Sequence, residues 1–260
     1  MFETWSAQKR IDEARIITKR LVDHIHYILD LHENNAIAIY SDTLTKQINR
    51  ADAAAAFNVF QSAMHQFEIV RLCALWDRAK PNRESIMTVV ELIDADTVIH
   101  SLSDETRAAY VNQSAAIDHQ DQETEETRKL ISEAFRLSDA EYADQQASQA
   151  TNDLRNAIKA TREFESSGLM ASLRNYRDKH LAHSLRTTHL EKAGPVTPLK
   201  YGNETTVLEK SLPIIEALYC WVNGTSISLT ASQESDRNNA QALWQACQFK
   251  LDLPTAAGTT

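Results

Sequence analysis

Glycine and proline are nearly missing from the first two thirds of this 260-residue chain: no Gly precedes Gly168, and Pro81 is the only Pro before Pro195. A sheet protein needs turn chemistry at short intervals, and these two residues supply most of it. An all-β chain is therefore excluded and an all-α one expected. Hydrophobic residues make up 43% of the chain, enough for a sizeable core. We expect one all-helical domain over residues 1–250, with residues 251–260 as a loose tail.

Apolar spacing places the helices. Ile11, Ala14, Thr18, Leu21, Ile25, Ile28 and Leu29 recur every three or four residues and predict a helix over residues 3–33, which Asn34-Asn35 ends or loosens. A helical turn is expected near 43–47. A long helix should follow over 51–78, with Phe57, Phe60, Met64, Phe67, Val70 and Ala74 as its buried stripe, stopped by Lys80-Pro81. Shorter helices are expected over 85–93 and 104–116. The run 118–126, with five acids and no basic residue, reads as a solvated segment. Ser138–Glu141 has capping-box spacing and could open a new helix. A helix is expected over 168–185. Gly194, Pro195, Pro198 and Gly202 then mark the one place, near 190–205, where a short hairpin fits. Another capping box at Thr206–Glu209 should open a helix that contains Pro213 and ends at Asn223-Gly224. The last helix should cover 235–249. Trp76, Trp221 and Trp244 read as core anchors.

Charge narrows the function classes. With 27 Lys and Arg against 36 Asp and Glu, the chain is net −9 and repels nucleic acid unless its cations are gathered. The three cysteines are far apart and make neither a disulfide framework nor a zinc pair; Cys73 reads as a small core residue. No apolar stretch is long enough to cross a bilayer, and Met1–Trp5 opens into charged helix without a signal-type apolar region. A cytoplasmic protein without membrane anchorage is expected.

The cations gather in residues 173–189. Arg174, Arg177, Lys179 and Arg186 stand there against Asp178 alone, a local balance of +3, together with His180, His183 and His189. This is the footprint of a local phosphate site. RNA carries its own nucleophile, the 2′-hydroxyl. Its cleavage needs a proton-transfer group working near neutral pH and a cation for the charge on phosphate. Histidine suits the first and the planar fork of Arg the second. On an α-helix Arg177 and His180 share a side, and Arg177 and His183 lie about 120° apart. Leu169, Leu173, Tyr176, His180 and His183 fall on one stripe, which predicts that at least one His borders the core in a groove. No third ligand accompanies His180 and His183, so a metal site is not expected.

Arg177-Asp178-Lys179-His180-Leu181-Ala182-His183 resembles the Arg-to-His motif of HEPN domains. Tyr40–Leu44, Ala56–Phe60 and Arg71–Asp77 resemble the abortive-infection U-type branch, and the resemblance spans about residues 16–219. It implies an antiparallel helical bundle of HEPN type with extra long helices. It also implies a homodimer whose motif helices, here 168–185, meet at a shared cleft. Many members are metal-independent endoribonucleases in phage defence or toxin systems, some held by an antitoxin or regulatory protein; others only bind nucleotides or partners. Carried onto this chain, Arg177 would bind the scissile phosphate, His183 would transfer a proton and Asp178 would orient the site. Arg174, Asn175, Lys179 and His180 would contact RNA, and no cofactor is implied. Arg174 with His180 repeats the spacing and is an alternative register. Where the branch regulated by nucleotidyl transfer has a Tyr two residues after the motif His, this chain has Leu185, so control through that Tyr is not expected. A catalytically silent helical module and a plain dimeric scaffold stay open beside the nuclease.

Overall fold

The computed structural model describes residues 1–48, 51–111 and 124–247. These residues form helices α1 (Ala7–Tyr40), α2 (Asp42–Gln47), α3 (Ala51–Leu75), α4 (Ile86–Ile93), α5 (Asp96–Tyr110), α6 (Glu125–Glu165), α7 (Gly168–Tyr176), a π-helical turn (Arg177–Leu181), α8 (His189–Ala193), α9 (Asn203–Asn223) and α10 (Leu229–Ala246). Among the described residues there is no strand. The acidic run is mostly, and the C-terminal tail wholly, outside them, as are the ends of the expected helices over 104–116 and 235–249.

Helix α1 is the central rod, packed on α3, α4, α5, α9 and α10. Its predicted stripe holds: Ile11, Ala14, Thr18, Leu21, Ile25, Ile28 and Leu29 are all buried. Contacts at Tyr40–Glu204 and Asn223–Thr18 run α9 antiparallel to α1, and Asn35–Met64 and Gln61–Ala38 do the same for α3. α5 and α6 are antiparallel through Asp96–Arg155 and Ser103–Ala147. Trp76, fully buried, locks the end of α3: its indole donates to Ser211 of α9 at 2.8 Å and its ring meets Phe164 of α6 edge-on. Trp221 and Trp244 are only half-buried, donating to Asp153 and Asn34.

Several boundaries differ from expectation for identifiable reasons. Asn34-Asn35 does not end α1, because Asn35 is buried and donates to Met64 O and the Glu68 carboxylate, while Asn34 donates to Asp30 O. Helix α6 starts at its Thr124 cap and runs through Ser138 without a break. Helix α5 begins at Asp96, earlier than expected. The hairpin near 190–205 does not form. A capping box between Thr188 and Glu191 nucleates α8 instead, and Gly194 and the prolines that follow break the chain without pairing it. Helix α9 opens at Asn203, before the expected capping box, and closes on Gly224 at φ 69, a left-handed cap that suits glycine.

The largest correction concerns α3. Its buried face is His65, Glu68, Ile69, Leu72, Cys73 and Leu75, whereas Phe60, Phe67, Val70 and Ala74 point to solvent.

Candidate functional site

The motif begins where α7 docks. Ser167 caps α7, and Met170, Ser172 and Leu173 bury its inner face. Arg174 fastens the next turn. Its Nη1 lies 2.8 Å from Glu165 Oε1 of α6, and its Nη2 donates to Trp76 O at 2.9 Å, satisfying a carbonyl at the C-terminal end of α3. Asn175 and Lys179 converge on Glu191 Oε1 of α8, at 3.1 and 2.8 Å, and Thr188 Oγ1 donates to Asn175 Oδ1. The hydrogen bonds from Lys179, Asn175 and the Thr188 N–H hold the Glu191 carboxyl down at about 2. Glu191 thereby ties α8 to the motif.

At Arg177 the helix widens. Ala182 N–H donates to Arg177 O at 2.8 Å, five residues back, and Leu185 N–H closes on Lys179 O at 3.1 Å. Leu181 packs partly against the core, and the helix ends there. The wheel that set Arg177 and His183 about 120° apart therefore does not apply. His180 and His183 are both exposed and neither borders the core; His180 points outward from the π turn, and His183 lies past its end. The His180 ring leans on Tyr176 at 5.1 Å between centroids. His183 makes no hydrogen bond or ion pair with a described residue and stands as a free imidazole on the surface.

Arg177 is half-buried and fully engaged. Its Nε and Nη2 each lie 2.8 Å from Asp178 Oδ1, and its Nη1 lies 3.4 Å from Asp77 Oδ1. Asp77 Oδ2 in turn meets Arg83 Nη1 at 3.0 Å, so charges alternate along Arg83, Asp77, Arg177 and Asp178. Burial disfavours the Arg177 charge, but Asp178 and Asp77 more than offset it, and the guanidinium is held above its ordinary pKa. Beneath it, burial pushes the Cys73 thiol up to about 12 against the pull of Arg177 and Arg174, which makes it an inert core group.

The cation cluster read from sequence is thus largely neutralised at close range. Glu165, Asp77, Asp178 and Glu191 take up Arg174, Arg177 and Lys179, while Arg186 forms no ion pair among the described residues. The carboxylates from outside the window were missed; Asp77 was legible only as the last residue of one resembling block. Among the described residues no group of three His, Cys, Asp or Glu is placed to hold a metal ion. None of the helices searched is long and apolar enough to cross a membrane.

A family model for AbiU2, a HEPN family, matches residues 15–243. No curated protein and no solved structure matches the chain. The all-helical bundle and the long match together place this chain in the AbiU2 family of HEPN, abortive-infection-type domains.

Proposed function

We propose that this protein is a metal-independent endoribonuclease acting in phage defence or as a toxin, and that it works as a homodimer. The observation that carries the reading is a guanidinium that opens the widened turn and is held by two carboxylates, together with an exposed imidazole, without a partner among the described residues, two residues past the end of that turn. A phosphate of RNA takes the place of Asp77 on Arg177, and the bidentate fork neutralises the charge that develops. Asp178 keeps the fork oriented. His183 transfers the proton. As a base it removes the proton of the 2′-hydroxyl, whose oxygen bonds to phosphorus. The bond to the 5′-oxygen breaks, and that oxygen leaves with a proton from solvent, giving a cyclic phosphate and a 5′-hydroxyl. Lys179, Asn175, His180 and Arg174 flank this path, and an antitoxin or regulatory protein would act by covering it.

The second reading is a silent module that binds a nucleotide or a partner protein. It is favoured by the saturation of Arg174, which is tied to Glu165 and Trp76 O and offers little to a ligand. Mixed RNAs incubated in EDTA with wild type and with His183→Ala separate the two. Cleavage by wild type and its loss in the variant supports the nuclease. No cleavage by wild type supports the silent module, and equal cleavage by both moves the catalytic assignment away from His183.

A further inference from the structure

Asp77 sits between two guanidiniums. Its Oδ1 lies 3.4 Å from Arg177 Nη1 and its Oδ2 lies 3.0 Å from Arg83 Nη1, so each arginine takes one oxygen of the same carboxylate. Arg177 is engaged on its other edge, where Nε and Nη2 face Asp178 Oδ1. Arg83 comes from the connection between α3 and α4, outside the cation cluster of residues 173–189. All three side chains stay open to solvent, Arg83 at 36%, Asp77 at 33% and Arg177 at 26%.

The connection that carries Arg83 is held in shape. Arg83 N–H donates to Lys80 O at 3.1 Å and closes a turn with Pro81 in its second position, where the fixed φ of proline fits. Lys80 N–H reaches Oγ1 of Thr88, a fully buried residue in the first turn of α4, at 3.4 Å. Glu84, next in sequence, is taken up by Arg20 and His24 of α1, which leaves Asp77 as the carboxylate of Arg83.

We propose that Arg83 is a second phosphate ligand of the site, and that Asp77 marks the place of the scissile phosphate, between Arg83 and Arg177. The proposal rests on the nuclease reading above and adds a residue to its machinery. A carboxylate and a phosphodiester each carry one negative charge and two free oxygens. A phosphate in the place of Asp77 gives one oxygen to each arginine, and the Asp77 side chain turns to solvent. The second guanidinium matters most once reaction begins. When the 2′-oxygen, its proton taken by His183, adds to phosphorus, the five-coordinate group carries two negative charges where the bound phosphate carried one. Asp178 already answers one edge of Arg177, so a single guanidinium leaves the added charge unmet, and Arg83 meets it. Arg83 thereby favours the transition state over the bound substrate.

The test uses the full chain and mixed RNAs in EDTA. Arg83→Gln is expected to slow cleavage by roughly 10–100-fold, the worth of one hydrogen bond to a charged group. Its melting temperature should be kept, because water can answer Asp77. Arg83→Lys keeps the charge and is expected to lose less. The same two changes are then made beside Asp77→Asn. An Arg83 that acted only by drawing Asp77 away from Arg177 would become silent there, whereas a phosphate ligand costs the same roughly 10–100-fold. Cleavage by Arg83→Gln at the wild-type rate, an effect that vanishes beside Asp77→Asn, or equal losses in Arg83→Lys and Arg83→Gln overturns the second ligand. Each of these leaves the nuclease standing, since His183→Ala reports on that separately. No cleavage by wild type overturns both.

Discussion

The guanidinium of Arg177 reaches Asp77, Nη1 to Oδ1 at 3.4 Å, across 100 residues of sequence. The contact is long for an ion pair and lies at a half-exposed edge, so on the proposed function an incoming phosphate oxygen would displace Asp77 at small cost. Asp77→Asn is expected to tighten RNA binding by roughly 2–5-fold and to steepen its salt dependence, because the fork then carries one less resident anion. Fluorescence anisotropy over a salt series reads both. An unchanged affinity at every salt concentration would show that Arg177 does not touch RNA.

His183 and Arg177 should separate activity from stability. His183 has no partner to lose among the described residues, so His183→Ala should slow cleavage by roughly 10²–10⁴ while the melting temperature stays put. Arg177→Lys keeps the charge and loses the fork, and cleavage should fall steeply there too. Melting curves and cleavage rates on the same two preparations check this. Folded variants that cut RNA at the wild-type rate would move the assignment to Arg174 with His180.

Arg174 is expected to behave differently. Its side chain is largely covered, and it answers Glu165 and the end of α3 at once. Arg174→Ala leaves that carboxylate and the Trp76 carbonyl without their donor, which costs about 1–3 kcal/mol. Chemical denaturation should show the loss. A variant as stable as wild type with a large RNA defect would make Arg174 a phosphate ligand.

The contrast between α1 and α3 shows what the sequence could reveal. In α1 one stripe is apolar, so periodicity alone identifies the buried face. In α3 both faces read as apolar, and the inner one is disguised by His65 and Glu68, which are buried because His32, Asn35 and Glu204 answer them. The more regular stripe therefore reads as the core face, although most of it faces solvent. The motif residues were legible because cations and imidazoles cluster locally in an acidic chain. Their partners were not. Asp77, Glu165 and Glu191 meet them only through folding, and the π turn after which His183 lies is not marked by the residue spacing.

The buried carboxylate of Glu204 gives the fold an acid limit. Burial alone would raise its pKa. Hydrogen bonds from His65 at 3.2 Å, Tyr40 at 2.8 Å and the Gly202 N–H win, and its pKa falls to about 2. A depressed carboxyl stabilises the folded chain fully above its unfolded value near 4.5 and loses that contribution as pH falls toward 2. The loss is on the order of 3 kcal/mol. The neighbouring His32 works in the opposite sense. Burial opposes its charge, but the Glu68 carboxylate 2.7 Å away prevails and raises its pKa above 6.5. Its contribution is complete below 6.5 and fades as pH rises through the raised value. Together the two groups predict a stability plateau between about 4.5 and 6.5 with a decline on either side. Glu204→Gln should lower stability on the plateau and flatten the acid side, so that wild type and variant converge as pH drops. Urea unfolding from pH 3 to 8 measures the difference directly. A gap between wild type and Glu204→Gln that stays constant down to pH 3 would refute the depressed carboxyl.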